Sequence, residues 1–234
     1  MAARFRGQLD QAAGRYQEAL AASRQAGPLW VACSALIELG SVAALAGEDA
    51  RADELHAEAA ALARRTGLRR GTAHVANEMG LAARARGQPE RALALHQQAL
   101  AIHRALVPTR VARTLGQVGC AEARLGQLDA AEAHLREAAA LALATPQPPT
   151  VLLLLAGFAL VAAGRGDPGL AARLLGAVAA TRERLGVPAT GAERAEADLA
   201  AAGARAGLAP EAFDAAFDAG RDLAPDQALR VALS

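Results

Sequence analysis

The chain has 234 residues, 53% of them hydrophobic and 21% charged, with a formal net charge of +1. That balance supports a sizeable core and supplies no field strong enough to attract nucleic acid or an anionic membrane. Every basic residue is arginine, and because a phosphate loop of the Walker kind needs a lysine, P-loop NTPase chemistry is excluded for this chain.

From Gly7 the sequence reads GQLDQAAGRYQEAL, and the pattern returns as GEDARADELHAEAA from Gly47 and GQPERALALHQQAL from Gly87. It returns again as GQLDAAEAHLREAA from Gly126 and GDPGLAARLLGAVA from Gly166. The five glycines stand 40, 40, 39 and 40 residues apart, a period that marks a stacked repeat array. Ahead of the later glycines runs a second small column: Gly40, Gly80, Gly119 and, in the last unit, Ala159. Behind each glycine runs a third: Ala12, Ala52, Ala92, Ala131 and Ala171. Small residues there let paired helices approach toward the short end of the ~8–10 Å interaxial range. The leading glycine suits a tight turn, where left-handed backbone costs glycine little. Glu48–Asp49, Pro89–Glu90, Asp129 and Asp167–Pro168 then suit helix starts, since acids complement the free amides and proline lacks only a donor that has no partner there.

Residues 1–27 supply the second helix of a unit whose first is reduced to the stub MAARFR. Leu9, Ala12, Tyr16, Ala19 and Leu20 are therefore expected on an unpaired face, which either docks on another chain or, the favoured reading, marks a piece of a longer polypeptide whose frame extends upstream or has lost its front. Complete units are expected at about 28–67, 68–107, 108–147 and 148–186. The longest apolar run, VLLLLAGFALVAAG at 151–164, falls short of the ~18–20 residues of a membrane span and sits in register as a core helix. Residues 187–234 break the period and suggest three shorter helices near 190–206, 209–221 and 225–232, with Pro210–Glu211 and Pro225–Asp226 opening two of them. Leu199, Phe213, Phe217, Leu223 and Leu229 are expected to cover the fourth unit as a C-terminal helical cap. A partner-docking element around Phe213 and Phe217 is the alternative. Strand formers are sparse, so the expected class is all-α.

These columns resemble the tetratricopeptide repeat, in which a small residue, a glycine, an alanine, an aromatic and a second alanine hold fixed places. Gly40, Gly47, Ala52, His56 and Ala59 take them in the first full unit, and Gly80, Gly87, Ala92, His96 and Ala99 in the next. Gly119, Gly126, Ala131, Leu135 and Ala138 follow, then Ala159, Gly166, Ala171, Leu175 and Val178. The incomplete front unit keeps Gly7, Ala12, Tyr16 and Ala19. The resemblance covers 1–186 and implies a right-handed α-solenoid of stacked helical hairpins, closed by residues 187–234. Each unit is about six residues longer than the usual ~34, with the surplus around 22–27, 62–68, 102–107 and 141–147, in longer helices or longer links. The longer form and the Ala/Arg-rich tail look like the sensor arm of large bacterial regulators of the maltose-activator kind. Those regulators couple such an arm to an NTPase switch and often to a helix-turn-helix domain.

Chemistry is sparse. No H-E-x-x-H, G-x-S-x-G or C-x-x-C pattern occurs, so no catalytic residue, metal site or cofactor is expected. Cys33 and Cys120 read as buried free thiols. His56 and His96 stand at the family's aromatic position and are expected as packed, singly hydrogen-bonded imidazoles. His96 and His103 share a helix face two turns apart, about 10.5 Å, too far to chelate one ion. The resemblance carries the ligand groove to Ser34, Ile37, Ser41 and Ala44; His74, Asn77, Leu81 and Arg84; Arg113, Gly116, Cys120 and Ala123; and Leu153, Ala156, Leu160 and Ala163. The groove is then polar and basic in the middle and apolar toward the end. His74, Asn77, Arg84 and Arg113, flanked by Ser34 and Ser41, suit a carboxylate or an acidic segment. The expected function is a cytoplasmic protein- or peptide-binding module, its partner a separate protein or a switch domain of the same polypeptide. A small effector is the alternative, nucleic acid is disfavoured, and no membrane partner is expected.

Overall fold

The computed structural model describes residues 2–234: twelve α-helices, one 3-10 turn and, among the described residues, no strand. The helices are α1 (Ala2–Ala26), α2 (Leu29–Ala46), α3 (Asp49–Thr66), α4 (Arg69–Ala85), α5 (Pro89–Leu106) and α6 (Val111–Arg124). After them come α7 (Leu128–Ala144), α8 (Pro148–Gly164), α9 (Pro168–Leu185), α10 (Gly191–Gly207), α11 (Pro210–Arg221) and α12 (Pro225–Leu233). Four antiparallel hairpins, α2–α3, α4–α5, α6–α7 and α8–α9, pack in sequence order, so the chain is an all-helical solenoid.

Backbone sterics set the hairpin turns. Gly47, Gly87, Gly126 and Gly166 hold φ of 84°, 70°, 73° and 77°, the left-handed region that a β-carbon disfavours. Their amides return to the ends of α2, α4, α6 and α8, as Gly47 N–H does to the Ala44 carbonyl at 3.2 Å. The second small column gives side chains room. A β-carbon on Gly80 would stand 2.5 Å from His96 Cε1, one on Gly119 2.8 Å from Leu135 Cγ, and one on Gly40 would overlap the His56 ring. Ala52, Ala92, Ala131 and Ala171 are wholly buried. The six extra residues per unit lengthen the second helices, which run 17 or 18 residues, rather than the links.

The front unit departs from expectation. Gly7 lies inside α1 and opens no turn, because the few residues ahead of it are too short for a helix of their own and extend α1 instead. Ala12 is half-buried where its counterparts are sealed. The face expected to be unpaired is not free: Leu20 is buried, and Ala13, Tyr16 and Ala19 pack with it against α2 and α3. α2 is the one helix among the described residues long and apolar enough to cross a bilayer, yet it packs between α1, α3 and α4. α8 is buried from Thr150 through Ala162, a core helix as its composition predicts.

The core falls into two large bodies. One joins α1 to α4 around Leu36, Ile37, Leu55 and Leu62, and the other joins α5 to α12 around Leu115, Leu135, Leu154, Leu155 and Leu174. The two bodies meet through α5, which packs on both α4 and α6, whereas α4 and α6 themselves scarcely touch. Polar side chains fill that seam: Asn77, Arg84, His103, Thr114, Gln117 and Glu196 are all buried. The C-terminal helices close the other end. α11 crosses α9 where Gly176 meets the Phe217 carbonyl and Gly220 meets the Arg173 carbonyl. Phe213 and Leu229 are buried, Phe217 and Leu223 partly so. Leu199 instead points outward at 51% exposure, because α10 turns its alanines (Ala192, Ala200, Ala204) toward the array.

Candidate functional site

The first helix of each hairpin lines the inner face, and that face is not an open trough. α10 lies on it, packing on α8 and α9 and reaching α4. A Thr190–Glu193 capping box starts α10: Glu193 N–H donates to the Thr190 hydroxyl at 3.3 Å and Thr190 N–H to the Glu193 carboxylate at 2.8 Å. One turn on, Glu196 meets Arg84 in a two-point bond, Nε to Oε1 at 2.8 Å and Nη2 to Oε2 at 2.6 Å. The side chains are 1% and 0% exposed. Burial works against the Arg84 charge, and Glu196 carries its pKa above the ordinary value all the same. The Arg124 guanidinium donates to the Arg84 carbonyl at 3.0 Å, tying α6 to the same place.

Arg84 is therefore no exposed groove residue. Its register places it on the inner face, as the sequence predicts, but α10 supplies the carboxylate from within the chain. The apolar end of the expected wall is likewise covered: Leu153, Ala156 and Leu160 are buried, the last two packed in one core with Ala200, Leu229 and Ala232.

The open part of the face is the upper end of the α4–α6 seam, where a cavity of about 400 Å³ remains. Its α4 wall is His74, Asn77 and Glu78, and its opposite wall is Thr109, Arg110, Arg113 and Thr114, with His103 and Gln147 at the sides. Three of the four expected residues, His74, Asn77 and Arg113, thus share one cavity. Glu78 is held by the Ser41 hydroxyl at 3.2 Å and the Asn77 amide at 3.3 Å. Asn77 is 5% exposed, and its Oδ1 has no hydrogen-bond partner. Arg110 and Arg113 are exposed and, among the described residues, paired with no carboxylate. His74 Nε2 stands 3.8 Å from Glu38. Burial lowers the His74 pKa; Glu78 opposes this, and Arg110 and Arg113 add to it, so the ring is neutral at pH 7. Ser34 lies half-buried on α2, outside the cavity lining, and Ser41 reaches it through Glu78.

The other histidines belong to the packing. His96 is buried with both ring nitrogens unpartnered, contrary to the expected single hydrogen bond, whereas His56 is buried beside the Ile37 backbone, and each ring packs closely on the bare backbone of Gly80 or Gly40. Burial lowers the pKa of His56 and pushes that of His96 well down, the latter aided by Arg84. His103 Nδ1 sits 2.9 Å from the Thr114 hydroxyl, which itself donates to the Arg110 carbonyl at 2.9 Å, so the imidazole carries its proton on Nδ1. Burial, with Arg110 and His74 nearby, takes the His103 pKa down to about 4. Cys33 and Cys120 are free and buried, and burial pushes the Cys120 thiol up to about 12. No group of His, Cys, Asp or Glu suited to a metal ion occurs among the described residues.

Comparison with known proteins agrees with the architecture. Two tetratricopeptide repeat models match, one over residues 30–105 and the other over 111–145. Repeats of this kind generally bind proteins or peptides. No curated protein matches the chain.

Sequence reasoning missed Arg110, Glu78 and Glu196. Arg110 belongs to the 3-10 turn Pro108–Arg110 ahead of α6, outside the repeat's groove positions. Glu78 neighbours an expected residue and reaches the cavity from the edge of α4. Glu196 lies 112 residues from Arg84, beyond any local pattern.

Proposed function

We propose that the chain is a non-catalytic sensor and interaction module, the repeat arm of a bacterial signalling or transcriptional regulator acting in the cytoplasm. Residues 1–186 form its array and residues 187–234 close its end. One observation carries the reading: two unpaired guanidiniums, Arg110 and Arg113, face a polar cavity on the surface such repeats use for partners. An acidic segment entering between α2, α4 and α6 gains charge-assisted hydrogen bonds there. The forty-residue period and the absence of a catalytic motif support the regulator assignment. Fluorescence anisotropy with a library of acidic peptides tests it. Arg110→Ala and Arg113→Ala, both exposed, are expected to weaken binding about tenfold each. Unchanged affinity in both variants overturns the site.

A small effector is the second reading, and α10 favours it. With the lower groove filled, an extended segment has little length to lie in, while about 400 Å³ is within the ~300–1,000 Å³ range of small-ligand sites.

A further inference from the structure

The seam cavity has two walls of opposite character. On the α4 side stand hydrogen-bond acceptors: the Glu78 carboxylate and the unpartnered Asn77 Oδ1. Glu78 is braced only by neutral donors, Ser41 and Asn77, so its charge is uncompensated. Glu38 stands behind it, its pKa raised by burial and then by the charge of Glu78, with Arg110 opposing both. Across the cavity stand the guanidiniums of Arg110 and Arg113, with no carboxylate partner among the described residues. A buried amide oxygen without a partner is unfavourable unless something fills it. A plain anion satisfies the guanidiniums but meets Glu78, and a plain cation satisfies Glu78 but meets the guanidiniums. A molecule carrying both charges satisfies both walls.

We propose, building on the small-effector reading of this cavity, that it binds a small dipolar molecule with an ammonium and a carboxylate, a free α-amino acid or close analogue. The ammonium lies against Glu78 and Asn77 Oδ1, and the carboxylate against Arg110 and Arg113. The neutral His74 ring flanks both without adding charge. An extended peptide has little length to lie in, since α10 closes the groove below the cavity through the Arg84–Glu196 pair.

Isothermal titration calorimetry of the full chain tests this with four sets of probes: the free L-amino acids, their N-acetyl forms, their amides, and the plain acids succinate and citrate. At least one free amino acid is expected to bind, and both blocked forms of that compound to bind about tenfold or more weaker, since each loses one charged contact. Glu78→Gln should weaken the free amino acid by a similar factor and leave any residual binding of its N-acetyl form unchanged. Arg113→Gln should weaken the free and the N-acetyl forms alike. Circular dichroism checks the fold of each variant, and Arg110→Gln, at an exposed site, repeats the test on the donor wall. If the N-acetyl form or succinate binds as tightly as any free amino acid, or Glu78→Gln changes nothing, the dipolar ligand is refuted while the small-effector cavity stands. If no probe in any set binds, the small-effector reading falls with it.

Discussion

Removing the Glu196 carboxylate should break the coupling between the two halves of the solenoid. In Glu196→Ala the Arg84 guanidinium, 1% exposed, keeps its charge and loses both of its acceptors, and its Nη1 has no partner even in the intact protein. Stripping one partner from a buried pair of this kind costs about 3–5 kcal/mol, against a total of roughly 5–15 kcal/mol for a typical domain. The pair joins positions 112 residues apart, across a seam where α4 and α6 scarcely touch. Stability in repeat arrays passes from neighbour to neighbour, so a weakened junction should let the two bodies unfold separately. Urea titration followed by circular dichroism should show one transition in the parent and two in Glu196→Ala. The compensated variant Arg84→Met with Glu196→Leu should recover a single transition at or above the parent midpoint, since well-packed apolar replacements of buried pairs are neutral or stabilising. A loss below about 1 kcal/mol, with one transition retained, would mean that water reaches Arg84 and that α10 is not seated as described.

Other consequences follow from named contacts. Gly176→Ala or Gly220→Ala drives a β-carbon into a backbone carbonyl at the α9–α11 crossing, with an expected cost of about 3 kcal/mol in urea unfolding. Gly14→Ala, in a helix with open space around it, should instead stabilise by about 0.5–1 kcal/mol. The folded-state pKa of His103, about 4, lies below its unfolded value, so the unfolded chain takes the proton first. Stability is complete above about pH 6.5 and lost as pH falls from there toward 4, by at most about 1.4 kcal/mol per pH unit for this group. His103→Gln should flatten that slope by up to one proton. Cys120, buried with its pKa near 12, should stay unlabelled by iodoacetamide at pH 8 until the protein is unfolded.

The architecture was legible because its signals are local. A left-handed turn selects glycine, so Gly47, Gly87, Gly126 and Gly166 mark the hairpins in the bare sequence. Gly67 and Gly186 hold the same conformation at the ends of α3 and α9 but formed no column, since Val107 and Thr145 end α5 and α7 with ordinary negative φ. The inner face was legible in register, which is why His74, Asn77 and Arg113 meet at one cavity. What covers that face was not. α10 is nearly half alanine, with a single glutamate wholly buried, and neither feature announces a partner on a distant helix.

The seam also explains why chemistry concentrates at one junction of an otherwise uniform stack. Within the hairpins the first and second helices meet through alanine and glycine columns, close and apolar, and a second hollow of about 410 Å³ lies at the front, between α1, α2 and α3. Between α4 and α6 the separation admits α10 at one end and solvent at the other, and the same two helices hold both arrangements. Arg84 sits at the lower end of α4 and His74 and Asn77 toward its upper end, on one rigid rod. A ligand that draws the α4 and α6 walls together therefore acts on the helices that Arg84, Arg124 and Glu196 pin from the other side. Linkage makes the effect reciprocal: whatever loosens α10 must alter affinity at the cavity by the factor with which cavity occupancy alters the seating of α10. Calorimetry of the cavity ligand on Glu196→Gln, compared with the parent, measures that factor. A ratio of one would show that the two ends of the seam act independently and that α10 only closes the array.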